Sequence, residues 1–190
     1  AVDKLFQRHL KSSSAGAWGP RSLVRHFLQP RLRGFGAPSV VAGGRGRGAG
    51  ADQLKQPAGI FLLENSKRGS WELYVCDAGN HRVMRWQAGA SQGDCVAGSE
   101  TGAAGASLSE LYWPSSCAIH NGTLYIADTF NSRIVAWAAG ASSGSVISAH
   151  DAQGNRLELL KPSAVQAQAG VLYVADWEQS CVQKYWLGGG

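Results

Sequence analysis

The sequence predicts an all-β chain: three consecutive units of four short antiparallel strands, preceded by a basic segment. Three observations carry this. A Leu-Tyr-Val/Ile-x-Asp stretch occurs three times, at Leu73–Asp77, Leu124–Asp128 and Leu172–Asp176. Six residues after each Asp stands a β-branched residue (Val83, Ile134, Val182), and nine after it an aromatic one (Trp86, Trp137, Tyr185). The 25 glycines among 190 residues show no three-residue period, which excludes a collagen-like chain and calls for many tight turns. Hydrophobic residues, at 44%, suffice for a core, so wholesale disorder is disfavoured.

Residues 1–39 come first, as a basic segment. Residues 1–50 hold nine Lys or Arg against Asp3 alone, a net of +8, whereas residues 51–190 hold nine basic and twelve acidic residues, a net of −3. The overall charge of +5 is therefore an N-terminal property. Leu5, Phe6 and Leu10, then Leu23, Val24, Phe27 and Leu28, recur at helical spacing, but Pro20, Pro30, Pro38 and the run Ser12-Ser13-Ser14 interrupt them. Short helices or poor order are expected here. Arg-rich, acid-poor composition also suits an organellar transit peptide, so a targeting segment and a plain tail both stay open. The chain starts at Ala1 and its one methionine is Met84, as in a processed chain or an excerpt of a longer one. No apolar stretch reaches the roughly 18–20 residues of a membrane helix.

The units follow, at about residues 40–97, 98–148 and 149–190. In each, a Leu precedes a Pro by three positions (Leu54 and Pro57, Leu111 and Pro114, Leu159 and Pro162), and three residues later stands Ile60, Cys117 or Val165. A first strand is expected after each Pro and a second at each Leu-Tyr stretch. Between them lie the hairpin signal Asn121-Gly122, its counterpart Ala169-Gly170 and, in the first unit, an insertion of six residues around Lys67-Arg68-Gly69-Ser70. The third strands are Arg82–Trp86, Arg133–Trp137 and Cys181–Trp186; fourth strands are expected at Cys95–Ala97 and Ser145–Ser148. The connectors also correspond, Val41-Ala42-Gly43-Gly44 with Val96-Ala97-Gly98-Ser99. Four antiparallel strands in about 50 residues is the pattern of a β-propeller blade.

The offsets L-x-x-P-x-x-I and L-Y-V-x-D-x-x-N-x-R-V-x-x-W resemble the NHL repeat, with Asn80-His81-Arg82-Val83 in its most typical form and Asn131-Ser132-Arg133-Ile134 close to it. The third unit departs, with Gln179 and Cys181 in place of Asn and Arg, so a looser turn or a lost contact between units is expected. The resemblance spans residues 40–190 and implies a partial propeller of a type usually six-bladed. Three blades would leave two apolar faces open, to be covered by the rest of a longer chain or by a second copy. It also implies a non-enzymatic scaffold for protein recognition, with RNA binding, or a lyase or hydrolase activity, as alternatives known among such propellers.

The chemistry of the residues agrees with a scaffold. Asp77, Asp128 and Asp176 recur at one offset, which suits carboxylates that accept bonds from the following turn, and Arg82 and Arg133 suit contacts between blades. His81, His120 and His150 stand at different offsets without a second ligand at metal spacing, so no catalytic residue, metal or cofactor is expected. The run Gly43–Gly50 opens no helix and is no phosphate loop, leaving Arg45 and Arg47 as anion contacts. Cys76, Cys95, Cys117 and Cys181 form no C-x-x-C pair; four buried thiols are expected, compatible with an intracellular protein. The binding surface is expected where units differ: Lys67, Arg68 and Trp71 at the insertion, and the unmatched Trp113 and Trp177. A protein partner is favoured, and the net −3 of residues 51–190 speaks against RNA.

Overall fold

A computed structural model describes residues 37–65, 69–150 and 156–187. They belong, but for the first three, to the compact unit Val40–Gly190. Lys67, Arg68 and the helical readings before residue 37 lie outside the described residues.

The described chain is all-β. Its first sheet runs in the order β1 (Ile60–Asn65), β2 (Ser70–Asp77), β3 (Arg82–Gln87), β4 (Asp94–Gly98), and its second in the order β5 (Pro114–His120), β6 (Thr123–Asp128), β7 (Arg133–Ala138), β8 (Ser145–Ile147). A two-stranded ribbon, β9 (Ala149–His150) with β10 (Arg156–Leu157), precedes the third sheet of β11 (Pro162–Gln168), β12 (Val171–Asp176) and β13 (Cys181–Trp186). All pairings between these strands are antiparallel, as in propeller blades. The third sheet has three strands among the described residues, one fewer than the repeat predicts, and the ribbon, two residues a side, is too short to show an alternating pattern in the sequence.

The repeat translates into register. Leu73 lies opposite Trp86, Leu124 opposite Trp137 and Leu172 opposite Tyr185, so each Leu-Tyr stretch aligns with the aromatic nine residues after its Asp. Alternation then sorts the side chains. Cys76, Val83 and Ala97 of the first sheet meet Leu124, Ile126, Val135 and Trp137 of the second in one buried core. A second core joins Ala127 and Ile134 to Leu172, Val174 and Tyr185 of the third sheet. The Leu of each connector enters these layers: Leu111 and Leu159 are buried, one in each core. Each large apolar side chain so buried contributes about 1.5–3 kcal/mol. Strand β5 packs between β1 and β11, which sets the three Pro-led strands side by side.

Of the two faces expected to be open, one is partly covered. Leu73, Val75, Met84 and Trp86 form a third core, against which Ala42, Leu54, Trp71 and Cys95 pack. The far face of the third sheet stays open, with Tyr173, Val182 and Trp186 exposed.

The turns follow the residue chemistry. Asn121 and Gly122 both have positive φ (48° and 77°), and so do Ala169 and Gly170 (50° and 75°), the latter placing an alanine where a Cβ is unfavourable.

Candidate functional site

After the second strand of each blade the chain turns through Asp, and these turns meet the connectors on one rim. Asp77 is fully buried; its carboxylate accepts the Lys55 amide at 2.7 Å, Asn80 Nδ2 at 2.8 Å and Arg82 Nε at 2.9 Å. Asp128 repeats the arrangement with the Tyr112 amide at 2.6 Å, Asn131 Nδ2 at 2.8 Å and Arg133 Nε at 2.7 Å. The main-chain donors are thus amides of the connector that enters the blade. Sequence reasoning placed them in the following turn, where only the Gln179 amide, at 3.1 Å from Asp176, is found.

The arginines reach further into the connectors. Arg82 donates to the Gly50 and Glu100 carbonyls, and Arg133 to those of Ala106, Ser107 and Glu110. Asn80 and Asn131 add bonds to the Gly48 and Gly105 carbonyls. In the third unit Gln179 takes over the Asn bond by donating to the Glu158 carbonyl at 2.8 Å, and Gln183 donates to the same carbonyl. The contact that seemed forfeit with Asn and Arg is retained in neutral form. Asp77, Asp128 and Asp176 are buried and each accepts hydrogen bonds from three groups, so these residues hold the architecture.

On this scaffold the rim carries an aromatic cluster where the first and second blades meet. Trp113 stacks on Phe130 at 5.6 Å between centroids and 19° between planes. Tyr112 sets its edge against Phe130 at 5.1 Å and against His81 at 5.4 Å, and Lys161 Nζ stands 5.0 Å from the Phe130 centroid. The Trp113 amide donates to His81 Nδ1 at 3.2 Å, which requires an unprotonated Nδ1. Burial pushes the His81 imidazole below its ordinary value, with the Lys55 cation adding to this and Asp128 and Asp77 opposing it. Tyr112 and Phe130 are exposed, so the cluster offers an apolar surface with a cation at its edge.

The backbone holds these rings in place. Phe130 sits in the 3-10 turn Thr129–Asn131, and its amide donates to the Tyr112 carbonyl at 3.1 Å. Trp113 has a left-handed φ of 59° just before Pro114, as Gln56 has (50°) before Pro57, whereas Lys161 before Pro162 does not.

The structure separates the residues singled out from sequence. Trp113 is a member of the cluster, and Trp177 lies on the same rim, its amide bonded to the Lys161 carbonyl. Trp71 lies at the opposite rim, half-buried, lining a pocket of about 360 Å³ with Leu63, Glu72 and Gln87. Arg45 and Arg47 are exposed in the segment leading to the first blade, where the Arg45 carbonyl accepts from Gln53. His81, Tyr112, Phe130 and Lys161 were missed. Their signal was departure from the repeat: Tyr112-Trp113 stands where the first unit has Lys55-Gln56, and Phe130 where it has Gly79. Of the thiols, Cys76 and Cys117 are buried as expected, but Cys95 is half-buried and Cys181 exposed, because the edge of β13 is uncovered. Among the described residues no three His, Cys, Asp or Glu side chains converge as metal ligands.

No family model matches the chain, and no curated protein matches it in sequence. In fold it is similar to a structural-genomics protein of unknown function from Bacteroides thetaiotaomicron VPI-5482, with a TM-score of 0.50 and 16% identity over 67% of this chain and 34% of that one. The chain thus spans about a third of the length of that protein. The likeness is one of fold: a sheet-rich chain of repeated antiparallel units.

Proposed function

We propose that the chain is part of an NHL-type propeller and acts as a non-enzymatic recognition scaffold, whose rim at the first blade junction binds a protein partner. The observation that carries this reading is the aromatic cluster in which the exposed Phe130 stacks on the half-buried Trp113 and meets the exposed Tyr112 edge-on, built from positions at which the units differ. Aromatic side chains held rigid by their own backbone bonds are the usual anchors of protein interfaces, since they lose little freedom on binding. The N-H-R-V motif and the Asp-Asn-Arg bonds that it makes support the NHL-type assignment.

The test is a photo-crosslinking residue at position 130 of the full chain, with mass-spectrometric identification of what it captures, followed by titration of the purified partner against Trp113→Ala. Loss of at least about 30-fold in affinity, the scale of a hot-spot residue, is expected. Unchanged affinity, or tight salt-sensitive binding of single-stranded RNA in place of any protein, overturns the reading.

A further inference from the structure

We propose that His81 is a pH switch built into the rim: neutral, it holds Trp113 in the aromatic cluster, and protonated, it releases Trp113 and takes the cluster apart. The consequence for binding rests on the reading of this rim as a partner surface; the switch itself does not.

The backbone of Trp113 is strained. It combines a bulky side chain, a φ of 59° and a following proline, a state that few L residues adopt. Its amide has one acceptor among the described residues, His81 Nδ1 at 3.2 Å. Trp113 is half-buried where two blades meet, and an amide left without an acceptor there is costly. Gln56 shares the positive φ before its proline but is exposed, so water can take its amide. The imidazole thus holds a conformation that the bare backbone disfavours. Its ring also belongs to the cluster, 5.4 Å from Tyr112 and 6.4 Å from Trp113 between centroids.

The chain also contains the alternative state. Lys161 occupies the place of Trp113 in the third connector, has no positive φ, and donates its amide to Asp176 at 3.1 Å, beside that of Leu160. Asp128, the equivalent of Asp176, accepts the Tyr112 amide on Oδ1, which has no second donor among the described residues. A Trp113 amide turned toward Asp128 would reproduce the third connector and carry its ring away from Phe130. The fold therefore builds both states of one connector, and the peptide between Tyr112 and Trp113 is the bistable element.

Protonation selects between them. An imidazolium has no acceptor, so Nδ1 becomes a donor facing the Trp113 amide. His81, Ser132 and Ser180 hold the same left-handed position in the three turns, and of these His81 alone titrates near neutral pH. Charges face it from several elements. Lys55, in the connector before the first blade, repels the imidazolium; Asp77 at the end of β2 and Asp128 at the end of β6 attract it, but they are already ion-paired with Arg82 and Arg133. Lys161 adds a second cation over the Phe130 ring. Burial and Lys55 outweigh the two carboxylates, so the locked form prevails at pH 7 and the released form in acid.

Nuclear magnetic resonance of the full chain, labelled with nitrogen-15 and 5-fluorotryptophan, tests this between pH 8 and pH 5. Trp113→Phe assigns the Trp113 fluorine resonance. That resonance should move in one step with the midpoint of the His81 ring nitrogens, while circular dichroism of the sheets stays constant. His81→Asn keeps an acceptor and tolerates a positive φ but does not titrate, and should abolish the step. Lys55→Gln removes a repelling cation and should raise both midpoints together. The protein captured at position 130 should bind about tenfold more weakly for each pH unit below the midpoint, as the neutral fraction falls. A Trp113 resonance that ignores the His81 midpoint, a step that persists in His81→Asn or coincides with loss of the sheet signal, or a captured protein whose affinity crosses the midpoint unchanged overturns the proposal. A step in the free chain, with no protein captured at any pH, supports the switch and refutes the binding reading alone.

Discussion

Replacing Asp128 with alanine tests the load carried by the turn bonds. The buried carboxylate accepts three hydrogen bonds, one of them from the Arg133 guanidinium at 2.7 Å. Removing one partner of a buried pair costs roughly 3–5 kcal/mol, because the other charge is left without compensation. Arg133 keeps three carbonyl acceptors and is 12% exposed, which places the expected loss near the lower limit, about 3 kcal/mol. Asp176 provides the control. It is just as buried but, among the described residues, accepts the amides of Leu160, Lys161 and Gln179 and forms no ion pair. Asp176→Ala orphans no charge, and its expected loss is about 1–2 kcal/mol at the scale of unmade amide bonds. Urea unfolding followed by circular dichroism, with Asp128→Ala, Asp176→Ala and the double change Asp128→Ala/Arg133→Met, reads all three. The double change should recover part of the loss. If Asp176→Ala costs as much as Asp128→Ala, or the double change costs more than Asp128→Ala alone, the charge-compensation argument is refuted.

Ala169→Asn should raise stability by about 0.5–1 kcal/mol, since Asn tolerates the positive φ that the sister turn already gives to Asn121; a thermal melt that does not rise contradicts this. His81 should make stability depend on pH. Its folded value lies below the usual one, so its contribution is complete above the ordinary imidazole value of about 6.5 and falls away as pH drops below it. His81→Asn should flatten the melting temperature between pH 7 and pH 5 relative to the parent chain, and an unchanged slope would locate the effect elsewhere. Cys76 should resist a thiol reagent in the folded chain and react on unfolding, as the adjacent Cys117 and burial both raise its thiol well above the ordinary value. Rapid labelling of Cys76 in native buffer would show that the first blade junction opens.

Much of the fold was legible because a blade is a local object. Its strands are consecutive, and alternation along Leu73–Asp77 and Arg82–Trp86 decides which side chains face which neighbour. The offsets between Asp, Arg and the aromatic residue are therefore strand lengths in disguise. The rim was legible only in part. Trp113 stood out as unmatched, but His81, Tyr112, Phe130 and Lys161 come from two turns and two connectors up to 80 residues apart, and no period links them. Trp177, read as a binding residue by the same logic as Trp113, is exposed at a position where the other two units bury Ala78 and Thr129.

By itself the sequence determined the main strands of the three units and their order, and it marked the repeated Asp as a structural acceptor, since each depends on alternation and hydrogen-bonding capacity within some 50 residues. Only the tertiary structure decided that the connector amides satisfy the carboxylates, that Ala42 and Leu54 cover the first sheet, and that the variable residues of two blades gather into one aromatic surface. Those contacts join segments that meet only when sheets pack, and packing depends on faces and not on neighbours along the chain.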